Sequence, residues 1–433
     1  MSMKIIVIGG GLSGLAASVF LSEKGFKVTL IEASPKLGGR AYTLSEPESN
    51  LEFDNGQHLL MGCYRSTLRF LKIIGAESEI IFLPLKVPFV RPNYGISYLR
   101  AVDEFYPLNL IDAIMNFEAV NWKSRARILA LMMKIRNEKN KRESNANVFR
   151  WLKDNNQTDE AIENFWQVLC VGALNSDPEK ASASIFKNVI KRIFFSGAEG
   201  YKFILPRKNL RTMYIDKSKN YIISKGGYVN LSERVLEFRI EGGIINKIVT
   251  DNNLYDDFEM VVSALPAHAL KKIKFSGTQL KNVPSFEYSP ILNVHLILED
   301  NPFTERYYAL LGTDYHWLFN HGKYISITAS SADKLIKKNN AELLSELYSN
   351  LELFFPIFNR KLVRSSRIIK EKRATFVPAG DRLLNNTGYF TDIKNLFVGG
   401  DWTIPELPAT IESAVLSAEK VSREIFNISR VSD

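Results

Sequence analysis

Six residues near the N-terminus have the types and spacing of a phosphate cradle. Gly9-Gly10-Gly11-Leu12-Ser13-Gly14 follows the apolar run Lys4 to Ile8 and opens a helical pattern that reaches Lys24, where Gly25 is a natural stop. Gly9 permits a tight turn, Gly11 lets the backbone approach a diphosphate, and Gly14 lets the helix pack closely on the strand. The N–H groups of the turn, around Leu12 and Ser13, lie at the positive end of that helix, where phosphate oxygens bind. Lys27 to Ile31 reads as a second strand, and Glu32 closes it. That acid stands 18 residues after Gly14, at the distance where a carboxylate accepts hydrogen bonds from ribose hydroxyls. Glycines, strand, helix, second strand and acid together predict dinucleotide binding.

Two further segments read as parts of the same cradle. Gly38-Gly39-Arg40 follows the second strand, where a glycine pair lets backbone pass a diphosphate and Arg40 adds a planar charged fork. Near the C-terminus, Asn395 to Val398 is an apolar strand ending in Gly399-Gly400-Asp401. After a proline-rich turn, Leu407-Pro408-Ala409-Thr410-Ile411 begins a helix with Pro408 in its first turn and Ala414, Val415, Ala418 and Val421 on its apolar face. The start of that helix, at Ala409 to Ile411, can aim N–H groups at a site where negative charge gathers. Between these ends, 228–231, 234–239, 244–250 and 260–266 read as short strands.

Composition sets the frame for these elements. The chain has 433 residues, 45% hydrophobic and 24% charged, which suits two or three globular domains and excludes a disordered or wholly membrane-embedded chain. Cys63 and Cys170 cannot form a disulfide framework and read as buried packing in a reducing compartment. The five histidines lack metal-ligand spacing, so no metal is expected. The net charge of +9 is uneven: basic residues concentrate at 122–153 and 187–219. Such charge favours an anionic partner. No zinc spacing or RNA-binding signature accompanies it, so nucleic acid is not expected. Ile128, Leu131, Met132 and Ile135 form one helical stripe flanked by Arg125, Arg127, Lys134 and Arg136. A helix of this kind can lie in a lipid headgroup layer, and the same stripe can equally face the protein core. No apolar stretch is long enough to span a bilayer.

The Gly-Gly-Arg after the second strand resembles the flavin amine oxidase and phytoene desaturase superfamily, whose members bind FAD. Three blocks then resemble, in this order, the hydroxysqualene dehydroxylase family within it. These are Phe53-Asp54-Asn55-Gly56-Gln57-His58 with Gly62-Cys63-Tyr64-Arg65 behind it, Phe165 to Ser176 running into Ala181-Ser182-Ala183, and Asp401-Trp402-Thr403 running on to Glu412. The resemblance implies an α/β fold: a discontinuous Rossmann-like FAD-binding domain (1–75, 205–270, 385–433) and an α+β substrate domain (76–204, 271–384). It implies an FAD site at Gly9, Gly11, Leu12, Ser13, Gly14, Glu32, Gly38, Gly39, Arg40, Gly56, Gln57, His58, Val235, Gly400, Asp401, Pro408, Ala409, Thr410 and Ile411.

The activity implied is reductive loss of a hydroxyl from hydroxysqualene, giving squalene for hopanoid or related triterpenoid synthesis. An allylic C–O bond can ionise, reduced flavin can deliver hydride to the cation, and the protein must help hydroxide leave and keep water out. His58 is the candidate donor or polariser, with a structural hydrogen bond to the cofactor as its other reading; Asp54, Gln57 and Tyr64 are further candidates. His295 alternates with apolar residues and reads as a core or pocket-wall residue. Alternatives are a carotenoid-type desaturase, an amine oxidase, and, outside enzymes, a prenyl-binding GDI-like protein. No second dinucleotide fingerprint names an electron donor. Burying a chain of ~30 carbons is worth on the order of 20 kcal/mol, so the isoprenoid substrate should arrive from a bilayer. That places the protein in the cytoplasm, peripheral on the inner face of an anionic membrane.

Overall fold

A computed structural model describes residues 2–46, 51–92, 95–138, 146–278, 280, 283–379 and 391–431. The predicted domain boundary at 384/385 and part of the basic 122–153 stretch lie outside them.

Short apolar runs make a five-stranded parallel sheet, ordered Tyr228–Asn230, Lys27–Ile31, Lys4–Ile8, Met260–Ser263 and Leu396–Val398. These strands come from three separated parts of the chain. They are covered on both faces, which is why they read as continuous rather than alternating apolar runs. One face carries the helices Leu12–Glu23 and Ile411–Val431, where Leu15, Val19 and Phe20 share a core with Val415, Ala418, Val421 and Ile425. The other face packs against a smaller sheet of Val235–Glu241, Ile244–Thr250, Leu254–Tyr255 and Lys274–Ser276 through Phe238, Ile245 and Ile248.

The last helix departs from expectation. It begins at Ile411, so Pro408 precedes its first turn instead of occupying it. The Thr410 hydroxyl accepts from Ser413 N at 3.2 Å, and Ser413 Oγ donates to the Pro408 carbonyl at 2.6 Å. A side-chain cap therefore sets the start, three residues after Pro408.

A second, seven-stranded sheet runs Val363–Phe376, Tyr288–Leu298, Tyr324–Ser330, Trp317–Asn320, Tyr307–Leu310, Lys86–Arg91 and Gly95–Arg100. Its long strand Tyr288–Leu298 is two-faced. Leu292, Val294 and Leu296 pack under the helix Asn340–Phe354 with Leu343, Leu347 and Leu351. The residues between them, Asn293 and His295, therefore point to the opposite face.

Helices between 108 and 195 surround a third region of core. Here Ile128, Leu131, Met132 and Ile135 of the helix Trp122–Asn137 are buried in it. That stripe packs on protein and does not meet a membrane, which corrects the headgroup reading. Beside it, the helix Leu108–Met115 leaves Leu108, Ile111 and Met115 outward, next to Phe105 and Trp122, which are 79% and 76% exposed. Among the described residues no helix is long and apolar enough to cross a membrane.

Candidate active site

The two ends of the chain meet. Gly9 has φ +103, and a Cβ on Gly14 would stand 1.8 Å from the Gly9 carbonyl oxygen, so neither position accepts a side chain without a shift. Gly38 N donates to Gly10 O at 2.9 Å, and a Cβ on Gly39 would lie 2.9 Å from Gly11 Cα. Gly11 is the N-cap of Leu12–Glu23, with no side-chain cap and no acid in the first turn. From the far end, Gly400 N donates to Ser417 Oγ at 2.8 Å, and Ser417 Oγ lies 3.2 Å from Ser13 Oγ. Arg40 Nη2 pairs with Asp401 Oδ2 at 2.8 Å, and Arg40 Nη1 donates to the Ala374 carbonyl at 3.2 Å. The other Asp401 oxygen accepts from Trp402 N at 3.1 Å, so its carboxylate ties the two loops together.

The acid end of the cradle is also assembled. Glu32 accepts from Gly10 N and from Ser34 N. Ser232 N and Glu233 N donate to the carbonyls of Ser34 and Glu32, which brings the turn leading to Val235 alongside that carboxylate. An uncapped helix N-terminus, glycines that exclude side chains and an acid one strand away together fit an adenine dinucleotide: diphosphate at the helix, ribose at Glu32.

The turn 54–58 joins this cradle to the second sheet through Asn55. Its Nδ2 donates to Arg40 O at 3.0 Å and its Oδ1 accepts from Tyr42 N at 3.1 Å. These bonds fix the amide orientation. His58 Nε2, 3.2 Å from the same Oδ1, must therefore carry the ring proton, which leaves Nδ1 as an acceptor. Burial lowers the His58 pKa to about 4, so the ring is neutral near pH 7. A Cβ on Gly56 would come within 2.5 Å of Asn293 Nδ2, so the absence of a side chain there lets the strand Tyr288–Leu298 approach.

A cavity of about 490 Å³ opens beyond this turn. Asp54, Gly56, Gln57, His295, Tyr324 and Ser326 are among its lining residues, and the exposed Arg207 and Lys208 stand at its rim. It is more polar than a chamber lined only with hydrocarbon. Asp54 accepts from Thr43 Oγ1 at 2.7 Å and Leu210 N at 3.0 Å, yet burial still raises its carboxyl to about 6.

Most of the predicted residues fall into three places, while Pro408, Ala409, Thr410 and Ile411 stand at the start of the last helix. Gly9 to Gly14, Glu32, Gly38 to Arg40, Gly400 and Asp401 form the cradle, with Val235 beside its acid end. Asp54, Gly56 and Gln57 reach the cavity, and His58 bonds Asn55 between the two. Tyr64 instead sits by Thr410 at the start of the last helix, its hydroxyl pKa raised by burial. Cys63 is buried and its thiol pushed up to about 12, chiefly by desolvation, which suits packing and not nucleophilic attack.

Sequence reasoning missed two positions. Glu412, 3% exposed, accepts from Ser66 N, Thr67 N and Thr67 Oγ1, and so fastens the helix Arg65–Ile73 to the last helix. Asn293 abuts Gly56 although 237 positions separate them. The glycine in Asn-Gly-Gln was the available signal, since it marks a close approach without naming what approaches.

Comparison with known proteins agrees with this fold. The family described as flavin containing amine oxidoreductase matches residues 12–426. A hydroxysqualene dehydroxylase of Zymomonas mobilis is 25% identical, over 95% of this chain and 96% of its own. A 15-cis-phytoene desaturase of Synechococcus elongatus is 20% identical, over 98% and 96% respectively. The crystal structure of an oxidoreductase from Methanosarcina mazei superposes with a TM-score of 0.76 at 21% identity, covering 97% of this chain and all of that one. The chain has the α/β FAD-binding fold and belongs to the flavin containing amine oxidoreductase family of FAD-dependent oxidoreductases.

Proposed function

We propose that this protein removes the hydroxyl of hydroxysqualene and replaces it with hydrogen, giving squalene for hopanoid or related triterpenoid synthesis. The similarity to a hydroxysqualene dehydroxylase along nearly the whole of both chains supports the substrate. The observation that carries the reading is the turn 54–58: Asn55 holds the Arg40 carbonyl of the cradle while Asp54, Gly56 and Gln57 line the cavity. A substrate in that cavity would lie beside the cofactor.

FAD would be held by Gly9, Gly11, Leu12, Ser13 and Gly14 at its diphosphate, by Glu32 at its ribose and by Val235 near its adenine. Gly38, Gly39, Arg40, Gly56, Gln57, His58, Gly400, Asp401, Pro408, Ala409, Thr410 and Ile411 would flank the remainder. Once reduced, the flavin supplies the hydride. The residues of the chain must protonate the departing oxygen and exclude water. Asp54 is the better proton source, since its carboxyl holds a proton up to pH about 6. His58, neutral and with Nδ1 as an acceptor, holds or polarises and does not deliver a proton near pH 7.

The substrate comes from an anionic bilayer on the cytoplasmic side. The outward residues Phe105, Leu108, Ile111, Met115 and Trp122, with the exposed Lys123 alongside, support contact there in place of the buried stripe. The test is incubation of reduced holoenzyme with hydroxysqualene and analysis of the product. Squalene supports the reading, and turnover of phytoene or an amine instead removes it.

A further inference from the structure

His295 is 1% exposed and lines the cavity. Its Nδ1 lies 2.7 Å from Ser326 Oγ, while its Nε2 has no hydrogen-bond partner of good geometry among the described residues, the Asp54 carbonyl making at most a weak contact with the ring. The ring is held by Phe53, with centroids 4.6 Å apart, and by Tyr324 at 6.0 Å. A buried ring nitrogen without a partner costs free energy unless something occupies it. Burial, aided by the neighbouring His321, lowers its pKa to about 3 against the opposing pull of the Asp54 carbonyl, so the ring is uncharged.

We infer that His295 is a specificity residue, whose Nε2 hydrogen-bonds the hydroxyl of an isoprenoid alcohol and so selects alcohol over hydrocarbon. The inference rests on the reading of the cavity as the substrate site. Ser326 decides the tautomer. If its hydroxyl donates to Nδ1, Nε2 bears hydrogen and donates to the substrate oxygen. If Nδ1–H donates to Ser326, Nε2 accepts the substrate O–H. An alcohol pairs with either tautomer, and a hydrocarbon with neither. The product of dehydroxylation loses this bond, which favours its release from the cavity.

Oxidised holoenzyme, which has no hydride to give, separates recognition from turnover. Hydroxysqualene and squalene in detergent are titrated against the bound flavin, and its absorbance shift is read. The wild type is expected to prefer the alcohol by about ten- to hundredfold. His295→Phe keeps the ring packing and should bring the two ligands within about twofold, with flavin content unchanged. Ser326→Ala, a milder change, should reduce the preference without removing it. A wild type that binds both ligands equally, or neither, overturns the inference, as does a preference that survives His295→Phe. Loss of preference in His295→Phe, together with no squalene from the reduced wild type, would overturn the dehydroxylation reading and leave the inference standing.

Discussion

Arg40 and Asp401 are one bond between the two ends of the chain, and each loses its partner without the other. Asp401 is the more buried of the pair, so removing the guanidinium leaves a carboxylate with little water. Arg40→Ala should therefore purify with much less FAD than the wild type, read as the ratio of flavin to protein absorbance, while Arg40→Lys recovers part of it. At Asp54 the sign of the pH dependence follows from its task. A donor must be protonated, and the Asp54 carboxyl loses its proton as pH rises through about 6. Squalene formation by pre-reduced enzyme should fall above pH about 6, and Asp54→Asn should be slow and lack that limb. An unchanged profile in Asp54→Asn would assign the proton to another group.

At the scale of elements, the strand–turn–helix–strand unit was legible because a backbone that must approach phosphate leaves no choice but glycine. Gly14→Ala places a methyl against the Gly9 carbonyl and should yield protein that is insoluble or free of flavin. The helix Trp122–Asn137 shows what periodicity cannot say. Its stripe was correctly found, yet spacing alone identifies an apolar face and not what covers it. The outward face of Leu108–Met115 went unnoticed for the same reason: Leu108, Ile111 and Met115 look like core in sequence. Replacing Phe105, Leu108 and Trp122 with serine should lower sedimentation with anionic vesicles at low salt by about tenfold or more, with the fold kept, since little burial is lost. Equal sedimentation of this variant and the wild type would move the membrane contact elsewhere. Likewise the start of the last helix falls at Ile411, within the expected 409–411, but Pro408 stays outside its first turn because the Thr410 cap depends on where the Ser413 N–H points.

For the whole molecule, the cradle was readable at both ends of the sequence, and its closure was not. The Arg40–Asp401 pair, the Gly56–Asn293 approach and the Glu412 cap each join residues hundreds of positions apart. No local pattern encodes such contacts, although each leaves a residue that is odd where it stands: a charged fork after two glycines, a glycine in a polar turn, an acid in an apolar helix. These joins set the parallel sheet, the mixed sheet and the helices around one turn, 54–58. On the proposed function, an isoprenoid alcohol accepts hydride beside that turn. The most direct measurement is anaerobic mixing of photoreduced holoenzyme with hydroxysqualene, following flavin absorbance and product together. One squalene is expected for each flavin reoxidised. Flavin that stays reduced, or reoxidises without squalene, would contradict it.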